Sequence, residues 1–550
     1  MDFTDLQQRA LDLTALHMGR GTLYQECEYM YFMDEPDKSK WEKQAENLKV
    51  TLSPDPFNQL NGAARLLFAT DPTFAIPKEK NDTRAAKKSE PIERFCAQMY
   101  QAASRLVGQP IHYDAVVSAL LYSDVDIAVT DTQSLVNAAK SKAEKERAKQ
   151  AAARTPYLFT VRNPKECYPR WDILGLREHL RKVELTAGEV KGIYGEIPGN
   201  ENKSDNTSVT LCEYWNLEEH AVWVEGTKDP ILLEPHNLPC IPIVSIIAEG
   251  SRSLFSQADQ QRQPFLYALA KSGLWNRQNL ALTLMYTYAF AIGANPMFLY
   301  QGEQEEIPVD WNVPGGIVRL HQGESFGPVA KNAIDPSLLT IQQIADQKVV
   351  ESTIYKQSLG QPLEGNAPFS TVALLSQSGR LPLISPQRKL SWALGQMMEI
   401  ALTLMRDKGG KQMSSYGFNQ FELKRADIPD TFELEAKLDI NLPTDLLQQA
   451  NIVKLLQGTV SNEWLMENVL KIGQPTQMRK ELWTEQAQEA LYRTTVQRMV
   501  APPQMPPPQM QQPQPPQGTP GQSIPPEMMM GGMGAPEMPE QQVGGENAIY

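Results

Sequence analysis

The sequence predicts an α+β fold, predominantly helical, on three observations. Apolar residues recur at three- and four-residue spacing through most of the chain outside residues 155–248. Inside that stretch the period shifts to two, as strands with alternating faces require. Beyond Ala501 neither period is present.

The first 30 residues place Phe3, Leu6, Ala10, Leu13, Leu16 and Met18 on a helical repeat running towards Tyr24, Tyr29, Tyr31 and Phe32, which predicts one amphipathic helix. A second helix is expected at Asp55, whose carboxylate can cap free N–H groups. Pro56 then fills the first turn, where its missing N–H costs nothing, and Leu60, Ala64, Leu66 and Leu67 follow. Further helices fit residues 90–106 and 114–122, and residues 125–130 read as a short strand. Residues 137–154, NAAKSKAEKERAKQAAAR, are strong helix formers without an apolar stripe and predict a solvated helix. Glu144 and Glu146 dilute its basic residues, Lys140, Lys142, Lys145, Arg147, Lys149 and Arg154, so an exposed charged face is expected rather than a phosphate-binding one.

From 157 to 248 the strings YLFTV, RKVEL, SVTLCEYW, AVWVEG and IPIVSIIA alternate or run apolar, with turn residues Asn163-Pro164 and Glu225-Gly226 between them. No helical crossover separates them, so a mostly antiparallel, meander-like sheet is expected. One long helix is expected over 264–292, closed by Gly293; at 1.5 Å per residue it would run roughly 43 Å. Two extended pieces, 296–300 (PMFLY) and 315–320 (GGIVRL), follow, and then a second helix over 336–359 opened by Asp335-Pro336.

Helical blocks at 370–379 and 386–408 flank Arg380-Leu381-Pro382-Leu383-Ile384-Ser385, where Pro382 and Pro386 predict a loop or sharp kink. Trp392, Leu394, Met397, Met398, Ile400, Leu402, Leu404 and Met405 sit at helical spacing and read as core. Short strands fill 414–442, and three helices follow, opened by Thr444, Ser461-Asn462 and Gln474-Pro475. The residues after Ala501 are rich in Pro, Gln, Met and Gly, hold no Lys or Arg, and read as a disordered tail.

Composition narrows the function. A chain of 550 residues holds roughly three to five structural units. With 52 Lys+Arg against 65 Asp+Glu, the net charge of −13 argues against a body built to grip phosphates. Cys27, Cys96, Cys167, Cys212 and Cys240 form no C-x-x-C pair, so neither a disulfide framework nor a zinc ribbon is encoded. The polar start MDFTDLQQRALDLTALHMGR is unlike a signal peptide, and the longest apolar run, 280–292, is too short to span a bilayer. No membrane association or export is expected.

Catalytic signatures are missing too: no phosphate-binding glycine loop, no dinucleotide fingerprint, no H-E-x-x-H and no G-x-S-x-G. Cys212, His220, His236 and Cys240 cluster in sequence, but only His236 and Cys240 have a zinc-like spacing, and buried thiols with surface imidazoles are the plainer reading. Asp124 and Asp126 share one face of a strand yet lack the further oxygen ligands that Ca²⁺ takes. No cofactor and no enzymatic activity are expected.

The order of parts, together with the runs LYSDVDIAVTD (121–131), TPYLFTVRNPKECYPRWD (155–172), DQKVVESTIYKQSLGQP (346–362), STVALLSQSGRLPLISPQRKLSWALGQMMEIAL (370–402) and SNEWLMENVLKIGQPTQMRKELW (461–483), resembles the portal proteins of tailed bacteriophages. The resemblance covers about residues 1–500 and implies an elongated subunit: wing (1–255, with the β-rich module at 155–248), stem helix (256–293), clip (294–335), second stem helix (336–360), tunnel loop and wing helix with short strands (361–440), crown (441–500) and disordered tail (501–550).

It further implies a ring, typically of twelve, at one capsid vertex, in the virion and in host cytoplasm during assembly. Double-stranded DNA would pass without sequence specificity. The implied partners are the terminase large subunit, head–tail adaptor or tail proteins, and major capsid and scaffolding proteins. The channel candidates are Arg380, Leu381, Pro382, Leu383, Ile384, Ser385, Arg388 and Lys389; clip contacts are expected from Met297, Phe298, Tyr300, Ile317, Val318 and Leu320. Another virion protein, such as a head–tail adaptor or minor head protein, would share the acidity and the missing motifs. A nucleic-acid-processing enzyme would instead require convergent carboxylates or a basic cleft.

Overall fold

The computed structural model describes residues 2–34, 50–77, 83–138, 142–195, 197–199, 204–236, 238–293, 298–302, 320, 322–328, 336–351, 381–408, 412–415, 421–430, 432–438 and 482–493, with positions 39, 43, 453, 454, 456, 465 and 466. Two compact units divide the chain, Met1–Thr444 and Asp445–Tyr550. The first holds the α+β architecture.

Helix α1 (Phe3–Leu16) starts at Asp2, whose carboxylate accepts the Phe3 N–H at 2.7 Å. The single helix expected over residues 1–30 is in fact two, because α2 (Arg20–Phe32) begins after a turn in which Gly19 adopts φ +92°, a conformation costly for any residue with a Cβ. Leu6, Ala10 and Leu13 of α1 pack against the β-rich module, whereas Leu23, Cys27 and Met30 of α2 join the main helical core. In α3 (Asp55–Leu67) Asp55 is the first helical residue rather than the cap, and the Ser53 hydroxyl accepts its N–H at 3.3 Å.

Strand β1 (Thr73–Ala75) precedes α4 (Thr83–Val107) and α5 (Ile111–Tyr122), which bury Phe95, Met99 and Ala103, and Ala115, Val116 and Ala119, in one core. Ser123, left-handed at φ +65°, ends α5 and turns the chain into β2 (Asp124–Asp131). The two faces of β2 differ. Val125, Ile127 and Val129 enter the helical core, and Asp124 and Asp126, both at 1% exposure, face the opposite way.

Helices α6 (Thr132–Ala138) and α7 (Lys142–Arg154) follow, and α7 buries none of its residues, as its composition predicts. Next come β3 (Tyr157–Arg162), β4 (Cys167–Trp171), β5 (Leu176–Thr186), α8 (Ala187–Tyr194), β6 (Ser208–Trp215), β7 (Glu219–Val224), β8 (Leu232–Pro235) and β9 (Ile243–Ile247). Their pairings are all antiparallel: β3, β2 and β9 form one sheet, and β4 to β8 a five-stranded meander. Helix α8 goes beyond the expected strands. Its start is a capping box in which Thr186 and Glu189 bond reciprocally, a signal present in the string T-A-G-E.

The long helix expected over 264–292 is also two, α9 (Tyr267–Ser272) and α10 (Leu274–Gly293), divided at Gly273 with φ +62°. Strand β10 (Phe298–Gln301) pairs antiparallel with β11 (Ser325–Pro328); of the extended piece expected at 315–320 only Leu320 is described, outside a strand, and the rest lies outside the described residues. Helix α11 (Pro336–Glu351) packs on α10; the rest of the helix expected to 359, and the one at 370–379, lie outside the described residues.

Helix α12 (Leu381–Lys408) corrects the loop expected at 381–385. Pro382 falls in the first turn, where no N–H partner exists, and Pro386 forfeits one backbone bond just beyond it. Burial of Leu383, Pro386 and Leu390 on one face offsets that loss. Met397, Met398 and Met405 are core as expected, but Trp392 is 57% exposed. Gly395 lets the Leu434 carbonyl approach the helix so closely that a Cβ there would collide with it. Strands β12 (Gln412–Ser415) and β13 (Phe421–Lys424) form a hairpin, and β14 (Glu435–Lys437) pairs with β1.

In the second unit residues 482–493 are helical and exposed, with Arg493 and Glu489 paired at 2.7 Å across one turn. Residues 501–550, expected to form the tail, lie outside the described residues. No described helix is long and apolar enough to cross a membrane.

Candidate functional site

Helix α10 carries polar side chains on its buried face. Gln278, Asn279 and Thr283 are each at most 1% exposed. Their partners come from the segment before α3: the Ser53 N–H donates to Asn279 Oδ1 at 2.8 Å, the Thr51 N–H to Thr283 Oγ1 at 3.0 Å, and Trp275 Nε1 donates to the Ser53 carbonyl at 3.1 Å. Gln278 Nε2 donates to Asp55 Oδ2 at 3.1 Å and to Asp346 Oδ1 of α11 at 2.6 Å, so one side chain ties both long helices to the body.

The opposite side is open and displays Leu280 and Leu284, 40% and 41% exposed, beside the exposed Arg277; Tyr286, further along the bonded side, is 59% exposed, and Leu339, Ile341 and Ile344 of α11 are 45%, 53% and 53% exposed. A helix that hides amides and displays leucines is inverted relative to an ordinary surface helix, and such patches mark interaction surfaces. Of the expected clip contacts, Phe298 and Tyr300 lie in β10, with the Tyr300 hydroxyl donating to Glu324 at 2.7 Å; Met297, Ile317 and Val318 lie outside the described residues.

The channel candidates divide by helical face. Leu381, Ile384 and Arg388 are exposed at i, i+3 and i+7 along α12. Pro382 is exposed beside them and Ser385 is half-buried, whereas Leu383 is fully buried and Lys389 Nζ bonds the Gly250 carbonyl at 3.3 Å. Arg380 lies outside the described residues.

Between the two sheets lies a buried ionic centre. Asp124 Oδ2 accepts from Arg262 Nε at 2.6 Å and from the Tyr24 hydroxyl at 2.6 Å, with Arg20 Nη1 at 3.4 Å. Arg262 and Arg20 are 0% and 3% exposed. Burial opposes the charge on Arg262, but Asp124 more than restores it and raises its pKa; burial and then Asp124 push the Tyr24 phenol up. His17 joins through Arg262 Nη2, 3.4 Å from its Nδ1, while its Nε2 sits 2.8 Å from the Pro169 carbonyl. This arrangement suits a neutral ring that donates to the carbonyl and accepts from the guanidinium.

Asp126 faces the five-stranded sheet, its Oδ1 3.3 Å from His179 Nε2. Burial opposes ionisation of Asp126, yet His179 holds its carboxyl below the usual range; burial in turn holds His179 below its ordinary value. Cys167 completes a cluster in which one ligand-type atom from each residue lies within 4.8 Å of the others. Deeper in the meander, burial opposes ionisation of Glu213, but Arg162 at 2.9 Å brings its pKa to about 2.

The cysteines and histidines that cluster in sequence do not form a metal site among the described residues. Cys212 packs in the apolar core with Leu180 and Trp223, and His220 stacks on Trp215 at 3.7 Å. Both nitrogens of His236 are engaged, Nε2 with the Asn216 carbonyl at 2.8 Å and Nδ1 with the Leu238 N–H at 3.0 Å.

No family model and no curated protein matches the chain. Among solved structures it is similar, at 12% identity and a TM-score of 0.41, to a chain from the neck of an empty gene transfer agent particle computed with C6 symmetry, over 79% of this chain and 94% of that one. Chains from the virion of the native gene transfer agent particle, and from its neck computed with C12 symmetry, each match at 12% identity and a TM-score of 0.34, over 74% of this chain and 98% of theirs.

Two consequences of the ionic centre can be measured. Asp124→Asn leaves two buried guanidiniums without a counter-charge and should cost roughly 3–5 kcal/mol in urea unfolding. Burial, with Arg20 and Arg262 adding to it, lowers the His17 pKa from 6.5 to about 2. Within that window the unfolded chain binds the proton that the folded chain refuses, so acidification below about 6.5 should reduce stability by up to about 1.4 kcal/mol per pH unit. Thermal melts should give a lower Tm at pH 5 than at pH 7, and His17→Gln should narrow the gap.

Proposed function

We propose that this chain is the subunit of a phage portal: a ring of about twelve copies at one capsid vertex, whose axial channel passes double-stranded DNA during packaging and ejection. The inversion of α10 supports this reading best. A polar face locked to the body and an apolar face shared with α11 are what a shaft needs when neighbouring copies complete its packing. The connection between the two helices contains the β10–β11 pair, in the place of a portal clip.

On this reading residues 1–255 form the wing, 256–293 and 336–360 the stem, 294–335 the clip, 361–440 the tunnel and wing-helix region, 441–500 the crown and 501–550 a tail. The clip receives the terminase large subunit during packaging and the adaptor or tail proteins afterwards. Major capsid and scaffolding proteins surround the wing. A charge of −13 per chain gives about −156 for twelve copies, and an acidic wall offers DNA few phosphate contacts to break as it slides. Leu381, Ile384 and Arg388 face the channel; Leu383 and Lys389, held by the body, do not.

Native mass spectrometry and negative-stain images of the purified chain should show rings of about twelve subunits. Leu284→Glu combined with Ile344→Glu should give monomers with unchanged far-UV circular dichroism. Wild-type protein that stays monomeric at micromolar concentration would remove the reading. For the channel face, Ile384→Asp should leave rings intact and reduce packaged DNA severalfold; normal packaging would show that this face does not touch DNA.

A further inference from the structure

Asp126, Cys167 and His179 come from β2, β4 and β5, so two sheets deliver a carboxylate, a thiol and an imidazole to one point. Their exposures are 1%, 0% and 0%. One atom of each lies within 4.8 Å of the others, and the Asp126 Oδ1 to His179 Nε2 distance is 3.3 Å. That separation is long for a hydrogen bond to a carboxylate. It equals the edge of a tetrahedron whose centre lies about 2.0–2.1 Å from an oxygen and a nitrogen, the bond lengths of zinc.

The three arginines around the centre have acidic partners: Arg20 and Arg262 pair with Asp124, and Arg162 pairs with Glu213. Asp126 makes its ion-pair geometry with the His179 ring, and Arg20 also favours its charged form at longer range. His179 Nδ1 is buried without a hydrogen-bond partner.

We propose that Asp126, Cys167 and His179 bind one divalent transition-metal ion, zinc by the softness of the thiolate and the Asp126–His179 spacing, as a structural clamp between the two sheets. On binding, the Cys167 S–H proton leaves to solvent and an S–Zn bond forms. One thiolate and one carboxylate then neutralise the ion, the neutral imidazole is the third ligand, and a water enclosed with the ion as the sheets close takes the fourth position. The donors are closed to solvent, so the ion is captured as the sheets come together and its binding adds to folding stability. The site stands independently of ring assembly.

The full chain, expressed with zinc supplementation and purified without chelator, should contain about one zinc per chain by elemental analysis. The same chain expressed in cobalt should show a thiolate-to-cobalt charge-transfer band in the near ultraviolet and the visible bands of a tetrahedral ion. In Cys167→Ser zinc should fall to about a tenth or less, and the cobalt charge-transfer band should vanish. Both wild-type readouts remain decisive even where that variant fails to fold. Metal-free wild-type protein, a cobalt spectrum without the thiolate band, or zinc retained in folded Cys167→Ser would each overturn the proposal and leave an aspartate–histidine hydrogen bond beside an inert thiol.

Discussion

The convergence of Arg262, Arg20 and Tyr24 on one oxygen of Asp124 ties together three parts of the chain that are far apart in sequence. Arg20 and Tyr24 lie on the second helix, Asp124 opens the central strand, and Arg262 belongs to the segment that leads into α9. A pair buried to this extent gains little net free energy, because desolvation consumes most of the Coulombic attraction. What it supplies is position: if any of these elements shifts, a charge is left alone in a medium that penalises it heavily. The left-handed Ser123 beside Asp124 reinforces this, since its hydroxyl accepts the Glu249 N–H at 2.9 Å and its carbonyl accepts the Ala248 N–H at 2.7 Å. Strand, sheet edge and the loop before α9 are thereby fixed as one piece.

Helix α10 extends the same logic outward. Its amides and hydroxyl are satisfied by the backbone around Ser53, which leaves α10 a fixed direction and an apolar outer face. Gly273 lets α9 stay rooted in the core through Leu269 while α10 sets off at its own angle. Specific polar bonds on one side and non-directional apolar surface on the other suit a part that must be precise towards its own body and adhesive towards something else.

Much of this architecture was legible in the sequence, and each departure has its own physical cause. The alternation in DVDIAV gave the faces of β2, and the spacing of Met397, Met398 and Met405 gave a buried helix face, because periodicity directly reports burial. The two helices read as single broke at Gly19 and Gly273, where a residue compatible with the repeat took a left-handed conformation that no pattern reveals. At Pro382 and Pro386 a local rule was overridden by the burial of Leu383, Pro386 and Leu390. The buried site escaped notice for a different reason: Asp126, Cys167 and His179 have no metal-like spacing, and Arg262 meets Asp124 across 138 positions. Only the packing of the two sheets and the segment before α9 brings them together, whereas Cys212, His220, His236 and Cys240, closer in sequence, are used elsewhere.

The two-faced central strand also bears on how the fold is attained. Moving β2 by a single residue would press Asp124 and Asp126 into oil and turn Val125, Ile127 and Val129 towards the arginines. Most half-buried strands incur a penalty on only one side when they mispair; this one incurs it on both. The strand therefore proofreads its own alignment, and a nascent chain that has paired it wrongly has every incentive to let go and try again.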